Sequence, residues 1–159
     1  MLHIDIICVG KLKEKYLKDA IDEYSKRLSK YCFLNIIELL DEKLPSNNSE
    51  KLLYEVKCKE CERISSHIKK DSYIIALDLT GKQLSSEEFS KKIDNISLIN
   101  SNITIIIGGS LGMTNEFLNT VHEKICFSKM TFPHQLIRVF LLEQLFRAFK
   151  ISNNETYHR

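Results

Sequence analysis

Continuous apolar runs and helical spacing alternate along this chain. Apolar runs predict strands over 2–9, 33–40, 72–79, 102–109 and, more briefly, 125–130. Apolar residues recurring every three or four positions predict a helix over 14–31. Further helices are predicted over 50–70, 114–124 and 133–150, and over 85–97, where Ser85 followed by Glu88 indicates a capping box. The alternation predicts an α/β fold with a mainly parallel sheet and helices on both faces. With neither an internal repeat nor a linker, residues 1–159 are expected to form a single domain.

The last predicted helix carries apolar residues around nearly its whole circumference. Such a helix is expected to be buried on both sides. The second side is then covered either by another subunit or by other elements of the same chain. We favour another subunit and expect a homodimer, because the helix lies at the C-terminal edge of a small domain.

Composition and charge narrow the function classes. A formal net charge of +2 argues against binding nucleic acid through bulk charge, so any RNA contact must come from a local patch or from shape. Asp5 interrupts the N-terminal apolar run, and no stretch reaches the length of a membrane span. An odd number of cysteines, five, indicates reduced thiols. We therefore expect a cytoplasmic protein.

A glycine-rich turn follows the most apolar predicted strand, in the segment IIIGGSLGM (105–113). Glycines at the carboxyl end of a strand permit a tight turn and the close approach of a ligand to the backbone. The spacing matches neither a P-loop nor a dinucleotide fingerprint. Taken alone, the turn fits a ligand site and a plain strand-to-helix connection equally well.

A second segment, FSKMTFPHQLIR (127–138), leaves the last predicted strand and enters the last helix at Pro133. Backbone amides and carbonyls of such a loop can read the edge of a purine, beside Met130 and Phe132. His134 falls in the first helical turn, where the helix dipole lowers an imidazole pKa. The alternative is an ordinary loop with a proline at the helix start.

Basic side chains concentrate near the C-terminus. Three of five arginines lie in the last 22 residues: Arg138, Arg147 and Arg159. They form a candidate RNA patch, although Arg147 is expected to pair with Glu143 one helical turn away. The chain then ends on Tyr157, His158 and Arg159, which form either a solvated tail or a set of groups held over a site. The pair Cys58 and Cys61 falls inside a predicted helix without a second pair, and no metal site is expected.

The glycine turn, the 127–150 segment and the terminal Tyr-His-Arg together resemble the SPOUT-class ribosomal RNA large-subunit methyltransferase H family. The VGKLKEKY start, the LDLTGK turn and the length fit as well, so the resemblance covers the whole chain. It implies a C-terminal trefoil knot and S-adenosylmethionine as cofactor. By residue match, the cofactor is expected to contact Leu77, Gly108, Phe127, Ser128, Lys129, Met130, Thr131 and Phe132.

The resemblance also implies the reaction, which is methylation of N3 of a pseudouridine in 23S rRNA within assembled ribosomes. The N3 proton must leave, so a base or an anion-stabilising cation is needed. His134 and His158 are candidate bases, and Arg138 and Arg159 are candidate anion stabilisers. Together with Tyr157, the terminal residues are expected to act beside the cofactor pocket of a second subunit.

Three alternatives remain open from the residues alone. The same fold and cofactor could serve another rRNA or tRNA base. The protein could instead be a non-catalytic ribosome-binding factor, which binding of S-adenosylmethionine would distinguish. A nicotinamide-dependent enzyme is the most distant, because the early glycine fingerprint is missing.

Overall fold

The computed structural model describes residues 1–157. Its elements follow along the chain as β1 (Leu2–Val9), α1 (Lys15–Leu28), β2 (Cys32–Leu39), α2 (Glu50–His67), β3 (Tyr73–Gln83), α3 (Ser86–Ile99), β4 (Asn102–Ile107), α4 (Asn115–Leu118), β5 (Glu123–Cys126) and α5 (His134–Ser152). The expected alternation of strand and helix is confirmed.

The five strands form one parallel sheet in the order β2-β1-β4-β3-β5. From Ile4 onward β1 is buried at every position, and β4 is buried from Ile103 to Ile107. Both strands are central and covered on two faces, which explains their uninterrupted apolar runs. The edge strand β2 is instead buried only at its two ends, Cys32 and Leu39, and is half-buried or exposed between them. The mainly parallel sheet predicted from the sequence is confirmed.

Helices cover both faces of the sheet, as predicted. On one face α5 packs against α1 and α3, over a core that includes Ile105, Leu141 and Leu145. On the other face α2 and α4 cover a second cluster that includes Ile106, Ile64 and Phe117. The predicted capping box begins α3, since the Ser85 hydroxyl accepts the Glu88 N–H and the Glu88 carboxylate accepts the Ser85 N–H.

The helix predicted over 114–124 is wrong beyond Leu118. The Thr120 hydroxyl donates to the Phe117 carbonyl at 2.6 Å, which closes the short α4. His122 then pairs with β3, because its N–H donates to the Ile74 carbonyl and its ring Nδ1 accepts the Ile74 N–H. Strand β5 therefore begins at Glu123 rather than 125, and it ends at Cys126 rather than 130.

Strand β3 is longer than predicted, because it continues through Thr80-Gly81-Lys82 around an irregularity. Leu77 and Lys82 both pair with Ile125 of β5, so the intervening residues bulge out of the ladder. A Cβ on Gly81 would lie 2.6 Å from backbone atoms of Ile125. Only glycine lets the two backbones approach this closely.

The position of α5 is consistent with the expected knot. After β5 joins the sheet edge beside β3, α5 returns across the sheet to α1 and α3. The trefoil knot stays an expectation from the family resemblance. Within residues 1–157 the structure contains no helix of the length and apolarity that crossing a membrane requires.

We predict that Gly81→Ala destabilises the fold by about 3 kcal/mol, because its new methyl group collides with rigid backbone. Gly112→Ala is the matched control: its φ of +76° strains an alanine, but the Cβ meets nothing within 4 Å. That strain alone costs about 1 to 2 kcal/mol. Urea unfolding of both variants measures the difference, and a Gly81→Ala protein more stable than Gly112→Ala would contradict this account.

Candidate active site

The residues expected to hold the cofactor come from three segments that meet at the carboxyl edge of the sheet. Leu77 of β3 pairs with Ile107 of β4, whose next residue is Gly108. Leu77 also pairs with Ile125 of β5, two residues before the exit loop begins at Phe127. The register therefore places all three segments side by side, where open α/β sheets bind their ligands.

The glycine turn folds tightly back on itself. Gly112 donates its N–H to the Gly109 carbonyl at 3.0 Å and has a φ of +76°. A Cβ on Gly108 would lie 3.1 Å from Cγ of Met113, so a larger residue would crowd the turn. Gly108 and Gly109 are thus half-buried and present backbone without side chains of their own.

The exit loop, residues 127–132, has the composition that an adenosine-bearing ligand needs. Met130 is 73% exposed, and its N–H donates to the Ser128 hydroxyl at 3.0 Å. Phe127 is half-buried against the core, whereas Lys129 and Thr131 are exposed. Phe132 meets the Phe140 ring edge-on, with the centroids 5.4 Å apart. Apolar side chains thus flank backbone donors and acceptors, so the residues present fit such a cofactor.

Arg138 forms an anchor rather than an exposed cation. Its side chain is 2% exposed, and its two terminal nitrogens donate to Glu38 Oε2 at 2.7 Å and to the Gly10 carbonyl at 2.6 Å. Glu38 Oε2 also accepts the Leu12 N–H at 2.8 Å. Burial alone would raise the pKa of Glu38, but these donors overcome it and lower the pKa. The first residues of α5 are thereby tied to the ends of β1 and β2.

His134 lies beside this anchor. A Cβ on Gly10 would lie 3.2 Å from the imidazole Nε2, and Gly10 itself has a φ of +93°. Burial lowers the pKa of His134, and the neighbouring Arg138 guanidinium lowers it further. The lowered pKa of His134 was predicted correctly from the sequence, but the helix dipole was given as its cause. A neutral imidazole can accept a proton.

Tyr157 folds back onto α5, away from His134. The Tyr157 hydroxyl donates to Glu143 Oε1 at 3.2 Å, and its ring meets Phe146 edge-on. Glu143 follows His134 by nine residues in α5, which is roughly 13 Å along the axis. The expected pairing of Arg147 with Glu143 is confirmed at 2.7 Å. His158 and Arg159 lie outside the described residues.

Several residues around the site were not predicted from the sequence. Gly10, Glu38 and the exposed Lys11 and Lys13 come from the ends of β1 and β2. The Lys13 N–H approaches Gln135 Oε1 at 3.4 Å, which brings this loop to the start of α5. A glycine directly after the first strand was the available signal for this approach. Within residues 1–157, no group of three histidine, cysteine or acidic residues is placed to hold a metal ion.

Comparison with known proteins decides the family. A family model described as "Predicted SPOUT methyltransferase" matches residues 2–158. The chain belongs to the SPOUT methyltransferase family. This membership makes it a methyltransferase.

Full-length relatives agree with this SPOUT assignment. Relatives from Clostridium novyi (strain NT) and Clostridium botulinum (strain Eklund 17B / Type B) are each 60% identical over 159 residues, covering 99% of this chain and 100% of theirs. One from Clostridium acetobutylicum is 58% identical with the same coverage. All three are named ribosomal RNA large subunit methyltransferase H.

A structure described as a probable methylase family protein from Haemophilus influenzae Rd KW20 shares the fold, with a TM-score of 0.54 at 16% identity. The match covers 98% of this chain and 70% of that one.

We predict that NMR titration places the pKa of His134 below 6.5, its ordinary value. With a lowered pKa in the folded protein, the His134 imidazole binds a proton more readily in the unfolded chain. The contribution of His134 to stability is therefore complete above pH 6.5 and declines as the pH falls below 6.5. Asp41→Asn lowers the His134 pKa further, since the Asp41 carboxylate raises it. A measured His134 pKa above 6.5 would contradict the geometry described here.

Proposed function

We propose that this protein transfers a methyl group from S-adenosylmethionine to N3 of a pseudouridine in 23S rRNA, acting on assembled ribosomes. The observation that carries the proposal is the meeting of Leu77, Gly108 and the 127–132 loop beside His134, in a SPOUT methyltransferase. Full-length relatives named for large-subunit rRNA methylation support a large-subunit rRNA substrate over a tRNA.

The cofactor residues carried over from the family are Leu77, Gly108, Phe127, Ser128, Lys129, Met130, Thr131 and Phe132. When bound, S-adenosylmethionine supplies a methyl group that is already activated by the sulfonium. The protein therefore has to bind the methyl donor, align it with the target nucleotide and exclude water. The bare backbone of the glycine turn and the apolar side chains of the exit loop suit those tasks.

Removal of the N3 proton is assigned to a neutral histidine. His134 fits because burial and Arg138 hold its pKa low, and His158 of the tail is the second candidate. Arg138 is buried against Glu38 and the Gly10 carbonyl. We therefore propose that Arg138 positions His134 and the exit loop rather than contacting the substrate. Stabilising the developing anion then falls to Arg159, with Tyr157 positioning the target nucleotide.

A homodimer is supported by the uncovered side of α5. The second half of α5 is largely buried within the chain, including Leu145, Ala148 and Phe149. In its first half, however, Ile137 and Val139 are only half-buried and Phe140 is 38% exposed. A second copy packed on this apolar side would complete the burial that the sequence pattern predicts.

The tail is proposed to serve the partner subunit. Within one chain Tyr157 lies over Phe146 and Arg147, more than two helical turns from His134. A dimer built on the first half of α5 would bring each tail toward the opposite site. Tyr157, His158 and Arg159 would then complete an active site formed by two copies.

Exposed lysines supply the local positive charge that an RNA contact needs. Lys11 and Lys13 follow β1, and Lys129 lies in the exit loop. They surround the proposed site at the same edge of the sheet, whereas Arg138 and Arg147 are engaged with Glu38 and Glu143. We propose that residues 1–159 act as one domain in the cytoplasm, where ribosomes supply shape and further contacts.

We predict that methyl-labelled S-adenosylmethionine, incubated with this protein and ribosomes lacking the modification, labels N3 of a pseudouridine in large-subunit RNA. Nucleoside mass spectrometry locates the label. A short RNA hairpin is the comparison substrate and is expected to be methylated poorly. Cofactor binding without label in large-subunit RNA would contradict the proposed substrate and point to another RNA.

We predict that two inactive variants restore activity when mixed. His134→Asn lacks the base, and a chain ending at residue 156 lacks the tail. If each tail serves the partner, a mixed dimer contains one intact site, and an equal mixture recovers about a quarter of wild-type activity. Each variant alone is the control, with the dimer verified by sedimentation. Subunit exchange without recovery would show that the tail acts on its own chain.

A further inference from the structure

A buried carboxyl group lies next to the glycine turn and has no assigned task. Glu60 belongs to α2 and is 5% exposed. Its Oε1 accepts the Glu42 N–H at 3.1 Å. Its Oε2 is also buried, yet it has no hydrogen-bond partner within residues 1–157. A buried oxygen of this kind requires an explanation, since leaving it unpaired destabilises a protein.

The unpaired oxygen lies directly behind the turn. A Cβ placed on Gly109 would lie 2.7 Å from Glu60 Oε2 and 3.1 Å from Cγ1 of Val9. Gly109 directly follows Gly108, which is one of the expected cofactor contacts. Only the thickness of a glycine backbone therefore separates Glu60 from the surface on which the ligand is proposed to lie.

The surroundings of Glu60 relieve the cost of its burial only in part. Burial raises the pKa of Glu60, and the carboxylates of Asp41 and Glu42 raise it as well, whereas the Glu42 N–H and the Arg63 guanidinium lower it without reversing the rise. The nearby guanidinium of Arg63 is engaged with Glu42 and with the Leu40 carbonyl. Packing at this position would be served at least as well by a neutral side chain. A group that lowers stability beside a ligand site is typical of a functional residue.

We propose that Glu60 is a positioning residue that stabilises a cationic group of the methyl donor through the glycine turn. This inference rests on the proposed use of S-adenosylmethionine, which carries a sulfonium and an α-ammonium group. A carboxylate behind bare backbone acts at short range in a region of low dielectric, where a charge is poorly screened. If the sulfonium is the group stabilised, Glu60 also favours the donor over its demethylated product, S-adenosylhomocysteine.

Titration calorimetry in mildly alkaline buffer tests this proposal with three ligands: S-adenosylmethionine, S-adenosylhomocysteine and 5′-methylthioadenosine. The variant is Glu60→Gln, which retains the shape and removes the charge. Glu62→Gln, at an exposed position of the same helix, is the matched control. We expect Glu60→Gln to weaken S-adenosylmethionine roughly tenfold and to leave the neutral 5′-methylthioadenosine unchanged. If Glu60→Gln also weakens S-adenosylhomocysteine, the group that Glu60 stabilises is the ammonium. If the affinity for S-adenosylhomocysteine is unchanged, that group is the sulfonium.

Thermal unfolding separates this role from a structural one. Because Glu60→Gln removes a buried unpaired charge, the variant is expected to be at least as stable as the wild type. Equal affinities of wild type and variant for all three ligands would overturn the role of Glu60, as would an equal loss for all three. Failure of the wild-type protein to bind S-adenosylmethionine would overturn the cofactor assignment itself, and the inference with it.

Discussion

The ion pair between Arg138 and Glu38 is the contact on which the site depends. It joins side chains 100 residues apart and connects the last helix to the second strand. A second bond from Arg138 holds the carbonyl of Gly10, where the first strand ends. A guanidinium with so little exposure is stable only with such partners. The same contact sets where α5 begins, and therefore where His134 and the exit loop lie.

Much of the fold could be predicted from local pattern. The apolar runs of β1 and β4 reflect burial on both faces, and Ser85 with Glu88 marked the start of α3. Features that depend on distant partners could not be predicted in this way. The pairing of His122 with β3 ended a helix that spacing alone would continue. The approach of Gly81 to Ile125 likewise arises from strands far apart in the chain.

The candidate site likewise combines residues that were expected from the sequence with residues whose role depends on distant partners. Leu77, Gly108 and the 127–132 loop were expected from the family resemblance, and the strand register explains why they meet. Arg138 was expected as a cation facing substrate, and its burial follows from Glu38, whose role no local pattern reveals. Glu60 lies within a charged stretch of α2, where no local pattern marks one acidic residue as buried. Its burial depends on the glycine turn folding over it.

One edge of the sheet thus carries groups with separate tasks. Under the proposed function, the glycine turn and exit loop bind the methyl donor, and His134 removes the proton. Under the same proposal, exposed lysines contact RNA, and the first half of α5 packs against a second copy. A small α/β domain concentrates these tasks at one edge because all five parallel strands end there.

Binding of the methyl donor at this edge is the central claim. NMR of the amide-labelled protein titrated with S-adenosylmethionine tests it most directly. The account predicts that shifted amide signals concentrate at Leu77, Gly108 and residues 127–132. Shifts concentrated instead between α1 and β2, around Ile21 and Leu34, would contradict it, as would the absence of any shift.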